Sequence, residues 1–206
     1  MSETLAIVDY GSGNLRSAEK AFARAANDAS LDTRIIVTSD PVAVNNADRI
    51  VLPGVGAFAD CRAGLAAVDG MQDALMDAVI NKARPVCGIC VGMQLMATRG
   101  LEHGIHSGFD WISGDVTPMQ VNDPSLKIPH MGWNTLTLTE TGRTHPVLRV
   151  LSEDDHTDCV PNINLKTSDS TISMSLTEYG CTLIALVGRD TRHGRQFHHE
   201  TSHAYG

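Results

Sequence analysis

The sequence predicts an α/β fold, with a mostly parallel central sheet flanked by helices and a second half rich in antiparallel strands. Three observations predict it. Short apolar runs alternate with helical patterns as far as residue 97, which signals a parallel sheet covered on both faces. The first, third and fourth runs end in glycine-bearing turns. In open α/β sheets, sites lie at such carboxyl ends. Beyond residue 111 the pattern becomes strand-like, and residues 135–139 (TLTLT) alternate with period two.

The elements follow in order. Residues 5–8 (LAIV) form a buried strand closed by the loop DYGSGN, and residues 17–29 an alanine-rich helix. Residues 34–37 (RIIV) form a second strand, and Ser39-Asp40-Pro41 is a helix start. Residues 49–52 (RIVL) form a third strand, closed by PGVG at 53–56. Residues 57–82 are helical with a break near Asp69-Gly70. Residues 85–89 form a fourth strand, followed by a helix over 91–97. Residues 152–158 read as an acidic loop, 183–187 as a strand and 195–198 as a short strand. There is no repeat, low-complexity tract or linker, so residues 1–206 read as a single domain.

Composition excludes several classes. The 206 residues carry 16 Lys and Arg against 24 Asp and Glu, a formal charge of −8. That disfavours nucleic acid, whose binders need a basic face, and electrostatic docking on anionic membranes. The longest uncharged stretch, 85–98, is too short to span a bilayer. The polar start MSET lacks a secretory signal, and five cysteines are an odd number to staple. A cytoplasmic chain with free thiols is expected.

The strongest local signal is GICVG at 88–92. An apolar strand, a sharp glycine-flanked turn and a helix start would lift Cys90 above the sheet, favour its thiolate and offer N–H groups to an oxyanion. The plain alternative is a buried cysteine in a glycine-rich turn. Cys87 and Cys90 also form C-x-x-C, a redox or half-zinc pattern without a second pair. Residues 199–203 (HETSH) match H-E-x-x-H. That mechanism needs a stable helix, which Thr, Ser and Gly do not favour, so no metal site is expected. A better reading pairs His198 with Glu200. In an extended segment, residues i and i+2 face the same way. The carboxylate can then orient the imidazole, and Cys90 would complete a Cys-His-Glu triad. A histidine-rich surface tail is the alternative. The turn at Gly11-Ser12-Gly13 has Arg16 where a dinucleotide fingerprint needs glycine, so it reads as a tight strand-to-helix turn.

Taken together, residues 5–17 (LAIVDYGSGNLRS), 51–58 (VLPGVGAF), 88–96 (GICVGMQLM) and 129–134 (PHMGWN) resemble the HisH family. These are the glutaminase subunits of imidazole glycerol phosphate synthase, within the flavodoxin-like class I glutamine amidotransferases. The resemblance covers nearly the whole chain. It implies that Cys90 attacks the carboxamide of glutamine, that His198 moves the protons and that Glu200 orients His198. It implies oxyanion and substrate contacts from Gly54, Val55, Gly56, Val91, Gln94 and Glu102. It further implies a cyclase partner, HisF, that receives ammonia in a heterodimer. Asn14, Arg16, Met131 and Trp133 would lie near that interface, though Trp133 also reads as a core aromatic. No cofactor is implied.

Four departures stand out. Residues 158–163 (DCVPNI) replace an aromatic-rich strand of the family, with Pro161 removing a ladder donor. The tail QFHHETS has His199 and Thr201 where the family has Pro and Lys. The sequence ends at Gly206, short of the family's amphipathic C-terminal helix, and exposed apolar surface is expected. Arg192-His193-Gly194-Arg195 is also more basic than the family's apolar approach to the tail. An alternative function is therefore a catalytically impaired, cyclase-binding homologue. A zinc peptidase built on His199, Glu200 and His203 is a third reading.

Overall fold

The computed structural model describes residues 2–120, 132–149, 156–159 and 163–197, with the backbone alone at 132–133 and 156–159. The first half alternates as expected. β1 (Glu3–Val8) leads to α1 (Leu15–Asp28), β2 (Thr33–Thr38), α2 (Pro41–Asn46) and β3 (Arg49–Gly54). α3 (Phe58–Ala67) and α4 (Met71–Met76) follow, then β4 (Val86–Cys90) and α5 (Val91–Leu95). Gly70, at φ +73°, makes the break between α3 and α4. Asp40 caps α2 by accepting the Val42 N–H at 2.9 Å, with Pro41 in the first turn.

The second half holds short strands. They are β5 (Ala97–Gly100), β6 (His106–Ser107), β7 (Ile112–Pro118), β8 (Gly132–Thr135) and β9 (Thr137–Leu138), followed by α6 (Glu140–Thr144). β10 (His156–Cys159), β11 (Ile163–Lys166), β12 (Ser173–Glu178), β13 (Thr182–Arg189) and β14 (Arg192–Arg195) complete it.

Among the described residues the main sheet has eight strands in the order β2-β1-β3-β4-β14-β13-β12-β9. β2, β1, β3, β4 and β14 run parallel, and β13, β12 and β9 add antiparallel pairs. Smaller sheets join β10 to β8, and β11-β7-β5-β6. Alternate residues of β3 serve opposite faces. Ile50 and Leu52 pack with Phe58, Leu65, Leu75 and Met93 on one side. On the other, Val51 packs with Leu5, Ile7, Ile89 and the α1 residues Ala18, Leu15 and Phe22. Leu15, Ala18 and Phe22 recur at helical spacing, so α1 turns one apolar stripe to the sheet.

Four expectations are corrected. The helix after Cys90 ends at Leu95, not residue 97, because the carbonyls of Leu95, Met96 and Ala97 accept N–H groups from Phe109, Trp111 and Asp110. Paired in this way, they cannot continue the helix. Within the strand-like second half, residues 140–144 are helical, because Thr139 caps them by accepting the Gly142 N–H at 3.1 Å. Where residues 152–158 read as an acidic loop, His156–Cys159 form β10, which pairs with β8 through Asp158↔Trp133, and residues 152–155 lie outside the described residues. Among the described residues the last strand spans Arg192–Arg195, where the sequence placed one at 195–198; residue 198 lies outside them. Asp190, at φ +56°, and Thr191 form a two-residue hairpin that pairs Arg189 with Arg192 and starts the strand early.

Candidate active site

Cys90 stands at the carboxyl end of β4, where the chain turns into α5. Its backbone holds φ +54° and ψ −115°, outside the regions a non-glycine residue ordinarily adopts. The flanking glycines make this corner feasible. A Cβ on Gly92 would lie 1.7 Å from the Leu52 carbonyl oxygen, and one on Gly88 would lie 2.7 Å from that of Gly92. No side chain fits at either position, so α5 presses directly on β3 and β4.

β3 approaches the same corner. Gly54 pairs with Cys90 in the β3–β4 register. A Cβ on it would meet the Gly92 nitrogen and the Tyr10 hydroxyl, both at 2.8 Å. The buried Tyr10 hydroxyl donates to the Pro53 carbonyl at 2.5 Å. Burial, reinforced by Cys61, pushes its pKa well above the ordinary phenol value, so Tyr10 remains a neutral donor.

The segment after β3 is anchored by side chains that sequence reading did not single out. The Val55 N–H donates to Ser12 Oγ at 3.1 Å, and the Ser12 hydroxyl lies 2.9 Å from the Val55 carbonyl. Cys61 Sγ also donates to that carbonyl, at 3.3 Å. In this conformation Val55 offers its N–H to Ser12, so service to an oxyanion requires that bond to open. Gly56, at φ +91°, has open space around it, so conformation rather than crowding calls for glycine.

The remaining predicted residues fall in different places. Val91 begins α5 and is buried. Gln94, also on α5, donates to Gln196 Oε1 at 2.9 Å. Buried Glu102 accepts the Phe58 N–H at 3.4 Å, at the first residue of α3. Asn14 and Arg16 are exposed at the start of α1. Trp133 belongs to the backbone of β8. Met131, His198 and Glu200 lie outside the described residues, as do Pro161, His199, Thr201 and His203. Arg195 pairs with Ile89 as β14 runs parallel to β4. That register brings Gln196, two residues before His198, to Cys90, with Gln196 Nε2 3.6 Å from Sγ. Sequence reading missed Gln196, although the i, i+2 argument used for His198 and Glu200 applies equally to it.

Among the described residues, no three His, Cys, Asp or Glu side chains gather where they could hold a metal. Cys61, Cys90 and Cys181 carry free thiols. No helix among them is long and apolar enough to cross a membrane.

The glutamine amidotransferase class-I model matches residues 6–205. The chain is 52% identical over 206 residues to the imidazole glycerol phosphate synthase subunit HisH of Bradyrhizobium diazoefficiens, covering 98% of this chain and 94% of that one. It is 51% identical over 205 residues to the Agrobacterium fabrum HisH subunit and 48% over 202 to that of Rhodospirillum rubrum, with the same coverage. In fold it is similar to a solved glutamine amidotransferase (TM-score 0.68, 12% identity, 96% of this chain and 91% of that one). It is also similar to the glutaminase domain of Trypanosoma brucei CTPS with bound acivicin (TM-score 0.65, 16% identity, 96% and 86%). The chain belongs to the class-I glutamine amidotransferases and, within them, to the HisH subunits of imidazole glycerol phosphate synthase.

Proposed function

We propose that this chain hydrolyses glutamine at Cys90 and passes the ammonia to a cyclase subunit, HisF, in histidine biosynthesis. The observation that carries this reading is the Cys90 corner, whose positive φ and side-chain-free neighbours raise a thiol above the end of β4. A backbone held outside its ordinary region persists where the surrounding structure enforces it, most often at functional sites.

The Cys90 thiolate attacks the carboxamide carbon. The tetrahedral oxyanion draws on backbone N–H groups at Val91 and, once released from Ser12, Val55. His198, oriented by Glu200, protonates the departing ammonia and leaves a glutamyl thioester. His198 then takes a proton from water, which attacks the thioester carbon. Glutamate leaves and the thiolate is restored. Gly54, Gly56, Gln94 and Glu102 shape the substrate side of the site. The partner is a (β/α)₈ barrel docked against Asn14, Arg16, Met131 and Trp133. It shields ammonia from protonation in water and joins it to the ribulosyl-formimino-AICAR phosphate intermediate, giving imidazole glycerol phosphate and AICAR. The chain acts as one domain over 1–206, in the cytoplasm, as a heterodimer without cofactor or metal.

A second reading, a cyclase-binding subunit without turnover, draws on the occupied Val55 N–H. Ammonia release from glutamine, with and without the cyclase and its nucleotide ligand, separates the two. The proposal expects release that rises when cyclase and ligand are added. Cyclase binding with no ammonia in any mixture would favour the second reading.

A further inference from the structure

Two buried amides lie beside Cys90, Gln196 in contact with it and Gln94 in contact with Gln196. Gln94 is 2% exposed and Gln196 6%. Burying an amide is unfavourable unless its polar atoms are bonded, and a packing role alone would be met by Leu or Met. Gln94 Oε1 has no hydrogen-bond partner among the described residues. These two glutamines therefore keep a polar arrangement that packing does not require.

Their order is directional. Gln94 Nε2 donates to Gln196 Oε1 at 2.9 Å. With its carbonyl so engaged, Gln196 presents Nε2 to Cys90 Sγ at 3.6 Å, a donor distance suited to the larger sulfur atom. A thiolate only accepts hydrogen bonds, so this orientation matches the reactive form. The fold fixes both ends. Gln94 lies one helical turn beyond Cys90 on α5. Gly194 pairs with Gly88, and a Cβ on it would lie 2.4 Å from Met93 Cγ, so β14 closes directly onto α5.

We propose that Gln196 is a positioning residue for the nucleophile, its amide aligned by Gln94 so that one N–H donates to the Cys90 thiolate. This rests on the reading of Cys90 as the nucleophile. The donor favours the thiolate before attack and again when the thioester releases it.

Alkylation of Cys90 by iodoacetamide, followed by peptide mass spectrometry across pH with Cys90→Ala as blank, tests the role without glutamine, partner or turnover. Gln196→Met removes the donor at similar volume and is expected to slow alkylation about tenfold at neutral pH, the size of a lost hydrogen bond to a charged group. The deficit should vanish in strong alkali, where the thiol is ionised whatever its neighbours. Gln196→His, which restores a donor, should recover part of the rate. Gln94→Met leaves Gln196 in place without its anchor and should cost about threefold with the same pH behaviour. It decides the matter if Gln196→Met does not fold. Unchanged neutral rates would overturn the proposal, and so would a deficit equal at every pH, which marks structural damage alone. Because alkylation needs no glutaminase activity, loss of the proposed function and loss of this inference give separate results.

Discussion

The parallel and antiparallel halves of the sheet fix their geometry differently. In the parallel half, β4 runs directly into α5, β3 packs beside both, and Gly54, Gly88 and Gly92 leave no room for side chains between them. In the antiparallel half, β9 is only two residues long, and the β12–β13 register shifts between Ser173 and Leu176. β14 joins the halves, antiparallel to β13 and parallel to β4. The turn that carries Cys90 is thus one continuous strand-to-helix stretch, whereas the Gln196 amide facing it arrives from 106 residues away along the chain. The first half places Cys90, and the second places the side chain that faces it.

Glycines of matching tightness test this division. A Cβ on Gly92 would lie 1.7 Å from the Leu52 carbonyl oxygen, and one on Gly142 would lie 1.9 Å from that of Met174, under α6. Alanine at either should destabilise the chain by about 3 kcal/mol, at the upper end for overpacking, as read by urea unfolding. Only Gly92→Ala should also slow alkylation of Cys90 in the fraction that remains folded. Equal slowing in both variants would break the comparison. A smaller effect is expected at Tyr10, whose hydroxyl serves the Pro53 carbonyl. Tyr10→Phe should cost about 1 kcal/mol in the same unfolding measurement.

The smallest effect concerns the joining strand and depends on pH. Half-buried His193 on β14 lies with its ring 5.1 Å from that of His145, and its Nε2 has no hydrogen-bond partner among the described residues. Burial, with a lesser contribution from His145, holds its pKa below the ordinary value of 6.5. The unfolded chain therefore binds this proton first. Stability is full above 6.5 and is lost as pH falls from there towards the lower folded value. His193→Gln should flatten that acid limb, measured as unfolding midpoint against pH. An unchanged slope would locate the acid sensitivity elsewhere.

Much of the parallel half was legible because its signals are local. Apolar runs, the Asp40-Pro41 cap and the break at Gly70 each act within a few residues. The GICVG turn was legible for the same reason. The helix end at Leu95 was not, because the partners of its carbonyls lie between residues 109 and 112. The start of β14 depended on the left-handed conformation of Asp190, which Asp adopts only in context. The hold of Ser12 on Val55 joins distant segments that no spacing in the sequence announces, whereas Gln196 stands at i−2 from His198 and only its approach to Cys90 needed the fold. For His198 and Glu200 the account rests on spacing and family membership.

The central claim is that Cys90 carries the glutamyl group during turnover. The most direct measurement is intact-protein mass spectrometry after rapid acid quenching of the subunit, with cyclase and nucleotide ligand present, mixed with excess glutamine. The account predicts a glutamyl adduct on wild type that maps to Cys90 and is absent from Cys90→Ala, which also forms no glutamate. Glutamate production that survives Cys90→Ala, with no adduct on the wild-type chain, would contradict it.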